Sequence, residues 1–161
     1  MRIEPEFREF YEREYPTVLR AAFLLARDRA AAEDATQEAF ARALERWDRL
    51  RGHDWVGGWV MRTAMNRIRR VRGRDGRRAS SESSRSVDPA APAVDVEGRT
   101  DLWNAVGRLP RRQREATVLF YALDLPVEEV ATVMGCTEGA VKAHLFKARA
   151  ALARLTMERT P

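Results

Sequence analysis

The sequence predicts an all-α protein: two small helical domains joined by a flexible linker, the second containing a helix-turn-helix. Three observations carry this. Apolar residues recur at steps of three and four along both ends of the chain, the period of a helix that buries one face. Residues 79–99 hold Ser80-Ser81-Glu82-Ser83-Ser84-Arg85-Ser86 and Asp88-Pro89-Ala90-Ala91-Pro92, runs that neither nucleate a helix nor bury apolar area. Residues 126–152 read as helix, tight turn, helix. The 161 residues are room for one ordinary domain or two small ones. The flanks 1–78 and 100–161 are each small but able to carry a helical core.

The first helix is marked by Phe7, Phe10, Tyr11, Val18, Leu19, Ala22 and Leu25. Pro16 interrupts it and is expected to kink or restart it. Asp28 is a candidate N-cap for the second helix, whose apolar stripe is Ala32, Ala35, Ala39, Phe40, Ala43, Leu44 and Trp47. Glu33, Asp34, Gln37, Glu38 and Arg42 face elsewhere. Arg51-Gly52-His53-Asp54 reads as a turn. A third helix, starting near Asp54 or Trp55, carries Trp59, Val60, Thr63, Ala64, Ile68 and Val71, and Gly57-Gly58 weakens its first turn by about 1 kcal/mol per glycine. Beyond the linker come Leu102, Trp103, Val106 and Leu109, closed by Pro110, and then Ala116, Val118, Leu119, Phe120 and Leu123.

Pro126 fits a helix start, with Glu128 and Glu129 in a first turn whose dipole favours anions. Gly135 suits a left-handed C-cap, and Thr137 can cap the next helix. Ala131 is small where two helices approach, and Val141 packs the second helix on the first. The spacing of Ala131, Gly135 and Val141 is that of a DNA-binding helix-turn-helix. It leaves Glu138, Lys142, Ala143, Phe146, Lys147 and Arg149 on or beside the outward face.

The net charge of +5 admits nucleic acid, an anionic membrane or an acidic protein as partner. Its distribution is sharper. Residues 1–51 are nearly balanced, whereas 62–78 hold Arg62, Arg67, Arg69, Arg70, Arg72, Arg74, Arg77 and Arg78 against Asp75 alone. A second basic block, Lys142, Lys147, Arg149, Arg154 and Arg159, faces only Glu158. Two basic blocks around a mildly acidic stretch are the electrostatic footprint of a nucleic-acid binder. Cys136 is the single cysteine, which excludes an internal disulfide framework. His53, His144 and Cys136 are not at metal-ligand spacing, so no metal and no cofactor is expected. No apolar run approaches the roughly 20 residues that span a bilayer, and residues 1–6 carry no signal-peptide core; a cytoplasmic location is expected. Neither a glycine-rich phosphate loop nor a Ser/His/Asp arrangement points to an enzyme.

Longer motifs now stand together: Glu33-Asp34-Ala35-Thr36-Gln37-Glu38-Ala39-Phe40, Trp59-Val60-Met61-Arg62-Thr63-Ala64-Met65-Asn66, Leu109-Pro110-Arg111-Arg112-Gln113-Arg114-Glu115-Ala116, Val127-Glu128-Glu129-Val130-Ala131, and Gly139 through Arg149. In this order and spacing the chain resembles the bacterial extracytoplasmic-function sigma factors, the class holding only the domains called region two and region four. The resemblance covers nearly the whole chain outside the linker. It implies binding to the RNA polymerase core enzyme, recognition of promoter DNA and help in melting it.

By position, the resemblance puts the core-polymerase-binding face on Asp34, Gln37 and Glu38, where carboxylates and an amide can accept from basic side chains. It puts minus-ten recognition, with one base flipped into a pocket, on Asn66 and the loop 50–55, with Arg62 nearby. An unstacked base needs a hydrogen-bonding amide and a flat surface; Trp55 is the stacking candidate, and Trp59 reads as core. Arg67, Arg69, Arg70 and Arg72 would meet phosphates. Minus-thirty-five reading falls on Lys142, Ala143, Phe146 and Lys147, since lysine can meet guanine acceptors and phenylalanine a thymine methyl. Arg112, Arg114 and Arg149 would meet phosphates, which position without specifying.

Ala143, His144 and Arg70 depart from the family, which commonly has a serine, an arginine and an acid there; the departures bear on which promoter is read. Extended, linker 79–99 reaches about 70 Å, about two duplex turns of roughly 34 Å. The resemblance also implies control by a separate anti-sigma factor or by regulated expression. The alternative is a stand-alone dimeric regulator using the helix-turn-helix alone. Such a protein has no need of Asp34-Gln37-Glu38 together with the Trp59…Asn66 helix.

Overall fold

A computed structural model describes residues 2–78 and 97–158, with side chains at 2–73 and 101–158. The described residues are helical and contain no strand. The chain divides into two units, Met1–Pro89 and Ala90–Pro161. Residues 79–96 of the expected linker lie outside the described residues, and 97–99 belong to a helix.

In the first unit, α1 (Pro5–Ala26) buries Phe7, Phe10, Val18, Ala21, Ala22, Leu25 and Ala26. It runs through Pro16 instead of restarting there. Glu12 and Pro16 are both exposed, so water can take the carbonyl that proline leaves without a donor. Arg27, at φ 55°, ends the helix with its N–H donated to the Phe23 carbonyl. Asp28 caps α2 (Arg29–Glu45), its Oδ1 accepting from the Ala30 and Ala31 amides at 2.9 and 3.3 Å.

α2 buries Ala32, Ala35, Ala39, Phe40 and Ala43. A face built of alanine lets two helix axes approach closely, and α2 packs against both α1 and α4. Leu44 is only half-buried. Trp47 does not extend the α2 stripe as expected. The helix breaks at Arg46 and Trp47 opens α3 (Trp47–Leu50). The break turns its indole onto Phe7 and Phe10, with ring centroids 5.2 Å from each. After the turn at 51–55, α4 (Val56–Arg78) buries Val56, Val60, Met61, Ala64, Met65 and Ile68 against α1 and α2.

The second unit holds α5 (Glu97–Gly107) and α6 (Arg111–Thr117), which continues into a π-helical turn (Val118–Ala122). α7 (Val127–Met134) and α8 (Glu138–Met157) follow. α8 packs on α5, α6 and α7. The core is Val106, Leu109, Ala116, Val118, Leu119, Val130, Val133, Met134, Val141, Leu145 and Ala148. Gly135, at φ 69°, makes the left-handed turn from α7 to α8, where a Cβ would be strained. No helix among the described residues is long and apolar enough to cross a membrane.

Candidate polymerase and nucleic-acid interfaces

On α2, Asp34 and Gln37 are exposed, the Asp34 side chain at 63%, and Glu38 is half-buried. All three lie on the side away from the alanine face, as their spacing requires. Two of them are already engaged. Arg67, one helix over on α4, puts Nη2 at 3.1 Å from Asp34 Oδ2 and Nε at 2.9 Å from Glu38 Oε2. The other Glu38 oxygen lies 2.7 Å from Arg42 Nη2. Arg67, expected at phosphates, is thus turned toward the carboxylates of α2. Nothing in the spacing announces the pair, because Asp34 and Arg67 are 33 positions apart.

Along α4, Arg62, Asn66 and Arg70 are exposed. Arg69 Nη1 donates to Asn66 Oδ1 at 3.2 Å, which fixes the carboxamide's orientation. Trp55 is not splayed into solvent. Its indole lies over the α4 backbone at Gly58, where a Cβ would sit 2.5 Å from Nε1. Trp55 Nε1 is buried there with no hydrogen-bond partner. Gly58 therefore allows a close approach and is more than a weak spot in the helix. Trp59 is half-buried instead of core, with the Arg46 guanidinium 5.9 Å from its ring centre. Arg51 anchors the loop 50–55 to the start of α1 through Glu4 Oε2 at 2.8 Å and Glu6 Oε2 at 3.7 Å. Nothing in the spacing announces these contacts; the Arg51–Glu4 pair joins residues 47 positions apart.

In the second unit Thr137 caps α8, its Oγ1 accepting from the Ala140 amide at 3.1 Å. Val141, Leu145 and Ala148 face inward, while Lys142, Ala143, Phe146, Lys147 and Arg149 are exposed. Phe146 is 73% exposed, a ring left in water on the face expected to read bases. Arg149 Nε donates to the Tyr121 hydroxyl at 2.7 Å, and its guanidinium lies 5.8 Å from that ring's centre. Tyr121, itself 51% exposed on the π-helical turn, was not among the expected site residues.

Arg112 and Arg114 are half-buried and spend donors on backbone. Arg112 Nη1 donates to the Met134 carbonyl at 3.2 Å, and Arg114 Nη2 to that of Leu109 at 3.1 Å. Arg112 thereby satisfies the end of α7, and its Nη1 also lies 3.6 Å from the buried Glu115 carboxylate. His144 is half-buried in this cluster. Burial lowers its pKa from the ordinary 6.5, Arg112 and Lys147 push the same way, and Glu115 opposes them. Cys136 is half-buried in the turn.

Residues 10–78 match the Sigma-70 region 2 family and residues 99–152 match Sigma-70, region 4. The ECF RNA polymerase sigma factor SigM of Mycobacterium tuberculosis is 30% identical over 154 residues, covering 92% of this chain and 76% of that protein. The chain belongs to the ECF RNA polymerase sigma factor family. A second ECF sigma factor, BldN of Streptomyces coelicolor, is 32% identical over 160 residues, covering 92% of this chain. The chain spans 60% of BldN's length, and 38% of that of another curated relative. The fold is also that of the sigma factor RpoE of Bartonella quintana, solved with the anti-sigma factor NepR. The TM-score is 0.82 at 23% identity, covering 98% of this chain and 100% of that one.

Proposed function

We propose that this ECF-family chain binds the RNA polymerase core enzyme and directs it to a specific set of promoters. The single observation that carries this is the outward face of α8. Lys142, Ala143, Phe146 and Lys147 all face solvent on a helix capped by Thr137 and backed by Val141 and Leu145. An exposed basic-aromatic face on a helix about 10–12 Å across fits a major groove about 12 Å wide. Lysine there meets guanine acceptors, Phe146 a thymine methyl, and Arg149, braced on Tyr121, a phosphate. The first domain, residues 1–78, docks on core polymerase with Asp34, Gln37 and Glu38. It uses Asn66 with Arg62, Arg69 and Arg70 around an unstacked minus-ten base. The segment before α5 then joins it to the minus-thirty-five domain, which begins with α5 at Glu97.

The chain supplies recognition, and nucleotide addition belongs to the polymerase. Its site of action is the cytoplasm, where the polymerase is. RpoE was solved in complex with an anti-sigma factor; an anti-sigma factor is the partner proposed here too. Run-off transcription from a genomic library, with purified core polymerase, tests the reading. Discrete transcripts that need both this chain and core are expected. Duplex binding without core affinity would instead make it a stand-alone regulator.

A further inference from the structure

The arginines of α4 do not all face the same way. Arg62 and Arg70 are exposed. Arg67 has only 32% of its side chain exposed, and its Nε is buried. Its guanidinium lies between Asp34, 3.1 Å away, and Glu38, 2.9 Å away, on the neighbouring helix. A guanidinium is a planar fork, and along one edge of it Nη2 donates a hydrogen bond to Asp34 while the buried Nε meets Glu38 as an ion pair without a hydrogen bond. Asp34 and Glu38 are four apart on one helix face, where like charges repel unless a cation sits between them. Pairing does not bury Asp34, whose side chain stays 63% exposed. It therefore remains available to a partner while Arg67 holds its direction.

We propose that Arg67 is a positioning residue of the polymerase-facing surface of α2, and not a DNA phosphate contact. The proposal rests on the reading of α2 as the core-binding face. Its consequence is that α4, the proposed minus-ten reader, and α2, the proposed core-binding helix, share one ionic clasp.

The test uses the full chain, purified bacterial core polymerase and a mixed-sequence DNA duplex. Arg67→Gln, Asp34→Asn and the double variant are titrated against core by fluorescence anisotropy. Arg67→Gln is expected to weaken core binding about tenfold, the size of coupling seen between contacting side chains. The double variant is expected to lose much less than the product of the two single losses. Helix content and thermal midpoint should stay near wild type, since a clasp at the surface adds little to folding. Such non-additivity in affinity at unchanged stability is what a merely structural role would not produce. The salt slope of duplex binding is expected to be unchanged.

A slope lowered by about one unit, with core affinity intact, would make Arg67 a phosphate contact and overturn the proposal. Tighter core binding by Arg67→Gln would overturn it as well, because Arg67 would then be competing with the partner. Independent, multiplicative losses would also count against it. Failure of the wild-type chain to bind core would remove the reading of α2 itself, whereas wild-type binding with an indifferent Arg67→Gln removes only the clasp.

Discussion

Gly58 shows how much one hydrogen in place of a methyl can decide. By helix propensity alone, alanine there would add about 1 kcal/mol. In the fold its Cβ would lie 2.5 Å from Trp55 Nε1 and 2.8 Å from Cε2. The indole would have to leave the α4 backbone, and overpacking of this kind costs about 1–3 kcal/mol. Gly58→Ala is expected to lose about 1 kcal/mol net in urea unfolding, the difference between those two effects. In a Trp55→Ala background the same change should stabilise, because only propensity remains. A stabilising Gly58→Ala with Trp55 present would show that the indole does not rest there. In the proposed minus-ten site, a Trp55 laid over α4 would give a flipped base a wall fixed in advance.

The helix-turn-helix separates what builds a reading helix from what reads. Gly135 takes the left-handed turn and Thr137 caps α8, while Lys142 and Lys147 project from it. Thr137→Ala is expected to cost about 1 kcal/mol of stability through the uncapped Ala140 amide. It should leave relative preference among minus-thirty-five sequences unchanged. Lys142→Ala is expected to do the reverse, leaving thermal unfolding unchanged and costing about 1–3 kcal/mol of discrimination if it meets a base edge. Anisotropy titrations on matched and mutated duplexes, set beside unfolding curves, check both. A Lys142→Ala loss equal on all duplexes would reassign that lysine to a phosphate. α2 obeys the same separation, with a capped end and an alanine face for packing, and a polar face left over for the proposed core binding.

Each unit of the molecule closes a core of its own. The first is built on the aromatic cluster of Phe7, Phe10, Phe40 and Trp47, the second on the aliphatic set around Leu119, Val130 and Val141. Fragments 1–78 and 97–161 are therefore each expected to be helical alone and to unfold cooperatively. Domains of this size are marginal, so both should melt at modest temperature by circular dichroism. The first fragment should retain core-polymerase affinity and the second duplex affinity. A fragment that is unfolded alone would mean that its core needs the other half of the chain. If both fragments fold alone, the basic blocks on α4 and α8 belong to separately folding bodies, as the proposed reading of two separated DNA elements requires.

Local chemistry was legible in the sequence. The caps at Asp28 and Thr137, the turn at Gly135, the alanine face of α2, the inward packing of Val141 and the exposed set Lys142, Ala143, Phe146 and Lys147 follow from period and from orphan helix-end groups. These are short-range effects, set within one or two helical turns. The sequence also held the family resemblance, through motifs whose order spans the chain. Contacts between residues distant in the chain were decided only by tertiary packing. Arg67 turns to Asp34 and Glu38, Arg112 is drawn to the Met134 carbonyl, and Arg51 reaches Glu4. A run of arginines reads as uniform charge, yet each side chain is long enough to reach several partners. Which one it finds depends on the helix packed beside it. The path of α1 through Pro16 was settled the same way, by the burial of Phe10 and Val18 on either side of an exposed proline. Sequence period decides which face of a helix is buried; only the assembled fold decides what the polar face is already holding.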